Sequence, residues 1–142
     1  MPRLSTHDLS SALRIAVARL SRRLRAEKAD HELSDTQIAT LAFVVRSGAR
    51  TIGQLSEFER VKPPSMNRTI NHLEAAGYVV RTPDADDGRK VVVTATDDGR
   101  ELVAETRRRR DAWLHKRLRG LTPEQRETLA EAAAIMRELA DS

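Results

Sequence analysis

Residues 61–90 read VKPPSMNRTINHLEAAGYVVRTPDADDGRK, and two periodicities meet inside them. Met66, Ile70 and Leu73 recur at helical spacing. Pro63-Pro64 suits a helix start, because proline lacks an N–H that the first turn leaves unpaired anyway. Gly77 suits a helix end in the left-handed conformation, so the spacing predicts a helix to about Ala76. Tyr78-Val79-Val80-Arg81 and Lys90-Val91-Val92-Val93-Thr94 are β-branched or aromatic runs, which predicts two strands. The turn-rich Thr82 to Arg89 between them closes a hairpin. On the helix, Ser65, Arg68, Thr69 and His72 share one face, flanked by Asn67 and Asn71. An ordinary wet face carries Glu and Lys; this one has no acid before Glu74. Hydroxyls, amides, a guanidinium and an imidazole match base edges in a major groove and also phosphates. A phosphate is also favoured at the helix N-terminus. Simple exposure would account for Ser, Thr and Asn one by one, so the neighbouring elements must decide.

Upstream, Thr51-Ile52-Gly53-Gln54 is a capping box that opens a short helix with Ile52, Leu55 and Phe58 inward. A break follows at Glu59 to Lys62. Short helix, turn and second helix form a helix-turn-helix, whose second helix enters the groove. Ser34-Asp35-Thr36-Gln37 is another capping box; its helix carries Ile38, Leu41, Ala42 and Val45 on one face and stops at Ser47-Gly48. Residues 6–29 read as a helix with Leu13, Val17, Leu20 and Leu24 along a seam. Downstream, Thr96-Asp97-Asp98-Gly99 caps a long helix to about Arg119, ended by Gly120. Thr122-Pro123-Glu124-Gln125 starts a last helix with Leu129, Ala132, Met136 and Leu139 in line. Met66 and Met136 both fall on these apolar stripes, which marks them as core, and Trp113 reads as a packing residue, with a ligand-pocket wall as the alternative. The first, fifth and sixth helices carry seams with no partner in so small a domain, which predicts pairing with a second chain. At the hairpin tip, Arg89 and Lys90 suit a narrow minor groove. Asp84, Asp86 and Asp87 would repel phosphate there; Asp87 is expected to pair with a basic side chain and hold the tip in shape.

The chain has 142 residues, 32% of them charged and 3% aromatic, so its core must be built from aliphatic side chains. Mean hydropathy is −0.52 and pI about 10.1. No apolar run reaches the roughly 18–20 residues of a membrane span, and the first residues lack the apolar stretch of a signal peptide. These features predict a cytoplasmic protein without membrane contact. Cysteine is absent, which excludes disulfides, thiolate metal sites and a thiol nucleophile. His7, His31, His72 and His115 lack metal-ligand spacing. No nucleophile elbow or phosphate-binding glycine loop occurs, and the acidic pairs fall at turns and caps. No enzyme activity, cofactor or metal is expected. Residues 1–28 hold seven Lys/Arg against Asp8 and Glu27, and residues 107–119 hold seven against Asp111. Residues 120–142 reverse the sign, with five acids against Arg126 and Arg137. Such runs are ordinarily solvated surface. Arg107 to Arg110 point about 100° apart and cannot line one face.

TIGQLSEFERVKPPSMNRTINHLEAAGYVVR and DADDGRKVVVTATDDGREL together resemble the MarR family of bacterial winged helix-turn-helix transcription regulators. Asp87 and Arg89 match the family's Asp-x-Arg wing signature; Thr96 and Gly99 match its Leu-Thr-x-x-Gly. Gly88 stands where a second Arg is common, and Ala95 where Leu is usual. The resemblance implies a mainly α fold with a small β-hairpin wing, in a single domain over 1–142. Residues 33–99 would be the DNA-binding lobe, and 5–30 with 100–142 the helical dimerisation region. It implies a homodimer on a palindromic operator, usually as a repressor, released by a small aromatic or lipophilic effector. The residues expected to meet double-stranded DNA are Pro64, Ser65, Asn67, Arg68, Thr69, Asn71 and His72 in the major groove, with Arg89 and Lys90 at the wing and Asp87 supporting it. Two other classes stay open: an architectural DNA-coating protein with little sequence preference, and a winged-helix module that binds protein.

Overall fold

The computed structural model describes residues 3–142. Helix α1 spans Thr6–Arg25, α2 Asp35–Ser47, α3 Ile52–Glu59, α4 Pro63–Ala75, α5 Asp97–Leu118 and α6 Pro123–Asp141. Strands β1 (Arg50–Thr51), β2 (Val79–Pro83) and β3 (Val91–Ala95) form one antiparallel sheet in the order β1-β3-β2. The expected element order is present, and all three capping boxes close, at Ser34, Thr51 and Thr122. In each, the Ser or Thr side chain accepts the N3 N–H and the N3 glutamine side chain accepts the N-cap N–H, so two orphan donors are satisfied. Gly48 (φ 80°) and Gly77 (φ 86°) take the left-handed backbone that lets the chain leave α2 and α4. The turn of the helix-turn-helix bends through Arg60 (φ 54°), the one non-glycine among the described residues with positive φ.

Four expectations are corrected. Helix α1 ends at Arg25, not 29, because the next segment is held by side chains of α5 instead of continuing the helix. The hairpin gains a third strand: Arg50 and Thr51 pair with Val93 and Val92. Two residues are too few to leave a periodic signal. Phe58 is not inward; it is exposed and stacks on Phe43, with ring centroids 3.8 Å apart. Met136 is not in the core; it lies exposed on α6.

The core runs from Leu33 to Val103. Leu41, Leu55, Met66, Ile70, Leu73 and Val93 are all 0% exposed, and Val79, Leu102 and Val103 close around them. Hence α4 is fixed from behind by its Met66–Ile70–Leu73 stripe, with its opposite face outward. Gly99 explains itself by close approach. A Cβ there would lie 2.2 Å from the Tyr78 carbonyl oxygen, so only glycine lets α5 start against the hairpin. Thr96 completes that corner, accepting from the Gly99 N–H and donating its hydroxyl to the Gly77 carbonyl at 2.7 Å.

Between α1 and α2, residues 26–33 are tied in from three sides. Arg110 donates from Nε to the Leu24 and Glu27 carbonyls at 3.1 and 3.3 Å, capping the C-terminus of α1. Arg109 donates to the Lys28 carbonyl, and the Ala29 N–H donates to Thr106 Oγ1. Tyr78 donates its hydroxyl to Asp30 at 2.7 Å. That bond holds the Asp30 carboxyl below its usual range and, helped by burial, pushes the Tyr78 hydroxyl up to about 12. Arg108 instead pairs along its own helix with Glu101 and Glu105. The arginine run therefore splits its work around the helix.

Helices α1 and α6 contain no buried residue. Leu9, Leu13, Ile15, Val17 and Leu20 on the first, and Leu129, Ile135, Met136 and Leu139 on the second, are all exposed. Among the described residues no helix is long and apolar enough to cross a membrane.

Candidate nucleic-acid interface

The N-terminal end of α4 projects from the core with an unusual economy of donors. Pro63 and Pro64 occupy its first two positions and carry no N–H. The Ser65 and Met66 N–H groups both turn back to the Lys62 carbonyl, at 3.0 and 3.2 Å. A phosphate at this helix end, one of the sequence expectations, would find the helix dipole but little free backbone N–H. Any grip there must come from side chains.

Along the outer face, Pro64, Asn67, Arg68, Asn71 and His72 are exposed, while Ser65 and Thr69 are half-buried at its edge. Arg68 donates to Ser65 Oγ at 3.2 Å, one helical turn back. Asn67 Nδ2 donates to the Pro63 carbonyl at 3.1 Å. The structure therefore brings the seven α4 positions named from sequence onto one continuous ridge. Glu74, the first acid along α4, is turned onto strand β2. Its Oε1 lies 2.9 Å from Arg81 Nη1, and its Oε2 accepts the Arg81 backbone N–H at 3.1 Å. The other arm of that guanidinium, Nη2, donates to Asn71 Oδ1 at 2.8 Å. A negative charge beside the ridge is thus neutralised by a fork of charge-assisted bonds.

At the hairpin tip, Asp87 Oδ1 accepts the Arg89 backbone N–H at 3.1 Å, and Arg89 Nε approaches the same oxygen at 3.5 Å. The Lys90 N–H donates to the Asp87 carbonyl, and the Asp84 N–H to the Lys90 carbonyl. Asp86 N–H donates to Asp84 Oδ1. The acids that looked awkward are thus used as turn acceptors. The Arg89–Asp87 ion pair, with the arginine side chain 95% exposed, adds little energy. The backbone bonds order the tip, and Arg89 and Lys90 extend from it into solvent.

Sequence reading missed Arg81 and the role of Glu74. The partners lie seven and ten residues apart, on a strand and a helix. No local periodicity links such positions; only the register of β2 against α4 does. A second feature it left without walls is a cleft of about 190 Å³ between α2 and α5, lined by Ile38, Ala42, Val103, Thr106, Arg107, Arg110 and Asp111.

This architecture is shared with known proteins. A family model described as MarR family matches residues 31–90. An HTH-type transcriptional regulator of Mycobacterium tuberculosis is 43% identical over 133 residues, which cover 94% of this chain and 93% of that protein. The structure of a MarR family protein from Bacillus stearothermophilus superposes with a TM-score of 0.84 at 19% identity, covering 100% of this chain and 99% of that one. Bordetella bronchiseptica BpsR, solved in a study of how 6-hydroxynicotinic acid regulates its DNA binding, gives 0.68 at 24% identity, covering 100% and 99%. With the winged helix-turn-helix in place and a close full-length relative of the same kind, this chain belongs to the MarR family of transcriptional regulators, with a DNA-binding winged helix.

Proposed function

We propose that this regulator acts as a dimeric repressor on a palindromic operator and leaves it when a small aromatic or lipophilic ligand binds. The observation that carries the DNA reading is the α4 ridge. It offers an arginine, two amides, hydroxyls and an imidazole; Glu74, the first acid along that helix, is tied to Arg81, and an arginine-tipped hairpin flanks it. In this reading Arg68 with Ser65, Asn67, Thr69, Asn71 and His72 meets the major groove, Pro64 sets the helix entry, and Arg89 and Lys90 reach the adjacent minor groove. Asp87 supports the wing. Residues 33–99 form the DNA-binding lobe. Residues 5–30 and 100–142 form the dimerising region, supported by the exposed apolar residues of α1 and α6. Two such lobes would present their helices one DNA turn apart, about 34–36 Å. A chromosomal operator implies the cytoplasm as the place of work.

The effector reading rests on the α2–α5 cleft. Ile38, Ala42 and Val103 give it an apolar floor, and Thr106, Arg107, Arg110 and Asp111 line the rest. Two guanidiniums over an apolar floor suit a small aromatic acid, and BpsR is regulated by one. Arg110 also caps the C-terminus of α1, so an acid that drew it away would loosen the joint between α1 and α5.

The test is retention of sheared genomic DNA by the purified protein, followed by sequencing. A few fragments sharing an inverted repeat, with half-sites about 10 bp apart, support the proposal. Uniform retention favours an architectural coating protein. No retention at low salt favours a protein-binding module.

A further inference from the structure

We propose that Arg81 is a positioning residue that fixes which hydrogen-bonding group Asn71 offers to DNA: the amide N–H, with the carbonyl oxygen held back against β2. The inference rests on the reading of α4 as the base-reading helix and adds a determinant that does not itself touch DNA.

The orientation of an asparagine amide is normally open, because its oxygen and nitrogen are nearly alike in shape. Here chemistry closes the choice. A guanidinium has five donors and no acceptor. The Asn71 atom 2.8 Å from Arg81 Nη2 must therefore be the oxygen. Arg81 cannot easily turn away, because its Nη1 and its backbone N–H are both engaged by the Glu74 carboxylate. Glu74 and Asn71 are one turn apart on α4, so the fork clamps helix to strand and fixes the amide plane. Among the described residues no further partner engages the Asn71 side chain, which leaves its Nδ2 free on the exposed side.

Asn67 is the contrast. Its Nδ2 faces the Pro63 carbonyl, an acceptor only, so its oxygen is the free atom. That bond is local and neutral, and a base could displace it. The Arg81 bond is charge-assisted and anchored from another element, so it persists on contact.

A free asparagine reads adenine with both amide atoms, accepting from N6 and donating to N7. Asn71 with its oxygen committed offers a donor alone. It is matched to an acceptor edge, guanine O6/N7 or thymine O4, and loses the paired recognition of adenine.

The experiment is selection from a random duplex library by the wild type, Asn71→Ala, Arg81→Ala and Asn71→Asp, with melting temperature and affinity for non-specific DNA measured alongside. The wild type is expected to enrich a motif in which Asn71→Ala flattens one pair per half-site. Arg81→Ala should move that same pair toward adenine, by roughly tenfold in relative preference, while the pair dependent on Arg68 keeps its preference. Asn71→Asp keeps an oxygen for Arg81, so it folds, but turns an acceptor outward. It should shift the pair toward a donor edge, cytosine N4 or adenine N6.

If Asn71→Ala flattens a pair and Arg81→Ala leaves that preference intact, the positioning role falls and base reading by Asn71 survives. An even loss across every position of the half-site, with a lower melting temperature, makes Arg81 a structural residue only. If Asn71→Asp leaves the preferred base unchanged, the donor assignment is wrong. A wild type without a motif, or an Asn71→Ala variant with the wild-type motif, removes the base-reading role and this proposal with it.

Discussion

The core between Leu33 and Val103 and the pair α1–α6 are built from the same aliphatic residues and meet opposite fates. In the first, thirteen apolar side chains are buried together. In the second, leucines at similar helical spacing stay in water: Leu20 is 46% exposed and Leu139 59%. Spacing makes an apolar stripe in both cases. Burial requires a second surface, and α2 to α5, the sheet and the segment at Leu33 supply one another with it. Helix α1 is held at its C-terminal end by polar contacts: Arg110 donates to the Leu24 carbonyl, and Arg23 lies over the Trp113 ring. The fold is thus one buried core with an apolar surface on α1 and α6 that the chain itself leaves exposed.

The largest expected effect lies in the core. Leu41 is 0% exposed, and Leu41→Ala should cost about 2–5 kcal/mol in urea unfolding, from lost transfer energy and the cavity left behind. A loss as small as that of a surface substitution would deny the lobe its single core. On the other side, Leu20→Asp should leave the lobe's near-ultraviolet dichroism unchanged yet weaken self-association by at least tenfold, about 1.4 kcal/mol. Light scattering across a concentration series reads this. An unchanged mass would mean that α1 is covered by something other than a second copy.

The ridge of α4 sharpens the contrast, since it is exposed by design without being apolar. Arg68→Ala should barely move stability, because its one bond is to Ser65 on the same helix. It should cost about 1–3 kcal/mol on an operator and relax specificity, whereas Lys90→Ala should weaken all sequences alike. Equal losses on operator and random DNA would remove Arg68 from base reading.

The smallest effect lies at the joint between lobe and ends. Tyr78→Phe removes the bond to Asp30 and should cost about 1 kcal/mol. The pH dependence follows from the sign of the shift. The tyrosine hydroxyl is pushed from 10.0 to about 12 in the fold, so its contribution is complete below pH 10 and is lost as pH rises toward 12. Asp30 is shifted downward by the same bond, so its contribution is present above its ordinary carboxylate range and is lost on acidification. Thermal unfolding of Tyr78→Phe should therefore be flatter than wild type between pH 10 and 12. Parallel curves would mean the bond is not maintained in solution.

Much of this molecule was legible along the chain because the relevant forces are local. The capping boxes at Ser34, Thr51 and Thr122, the paired prolines that open α4, and Gly77 each act on backbone within a few residues. Stripes such as Met66, Ile70 and Leu73 need only helical geometry to be recognised. The outer ridge of α4 followed from the same periodicity read on its other side. The ranking of stripes did not: Met136 and Leu73 look alike in sequence, and only packing buries one and leaves the other exposed.

The order of the elements, most of their ends and the residue types on each face follow from the chain alone, since these depend on neighbours three or four positions away. Tertiary structure alone decided the pairing of β1 with β3, the glycine-only approach of α5 to the Tyr78 carbonyl, and the inward or outward fate of Phe58. It also decided that Arg110 caps a helix 86 residues earlier and that Arg81 clamps Asn71 from a neighbouring strand. Those outcomes arise where two elements meet, and a hydrogen bond across such a meeting depends on distances that no single segment encodes.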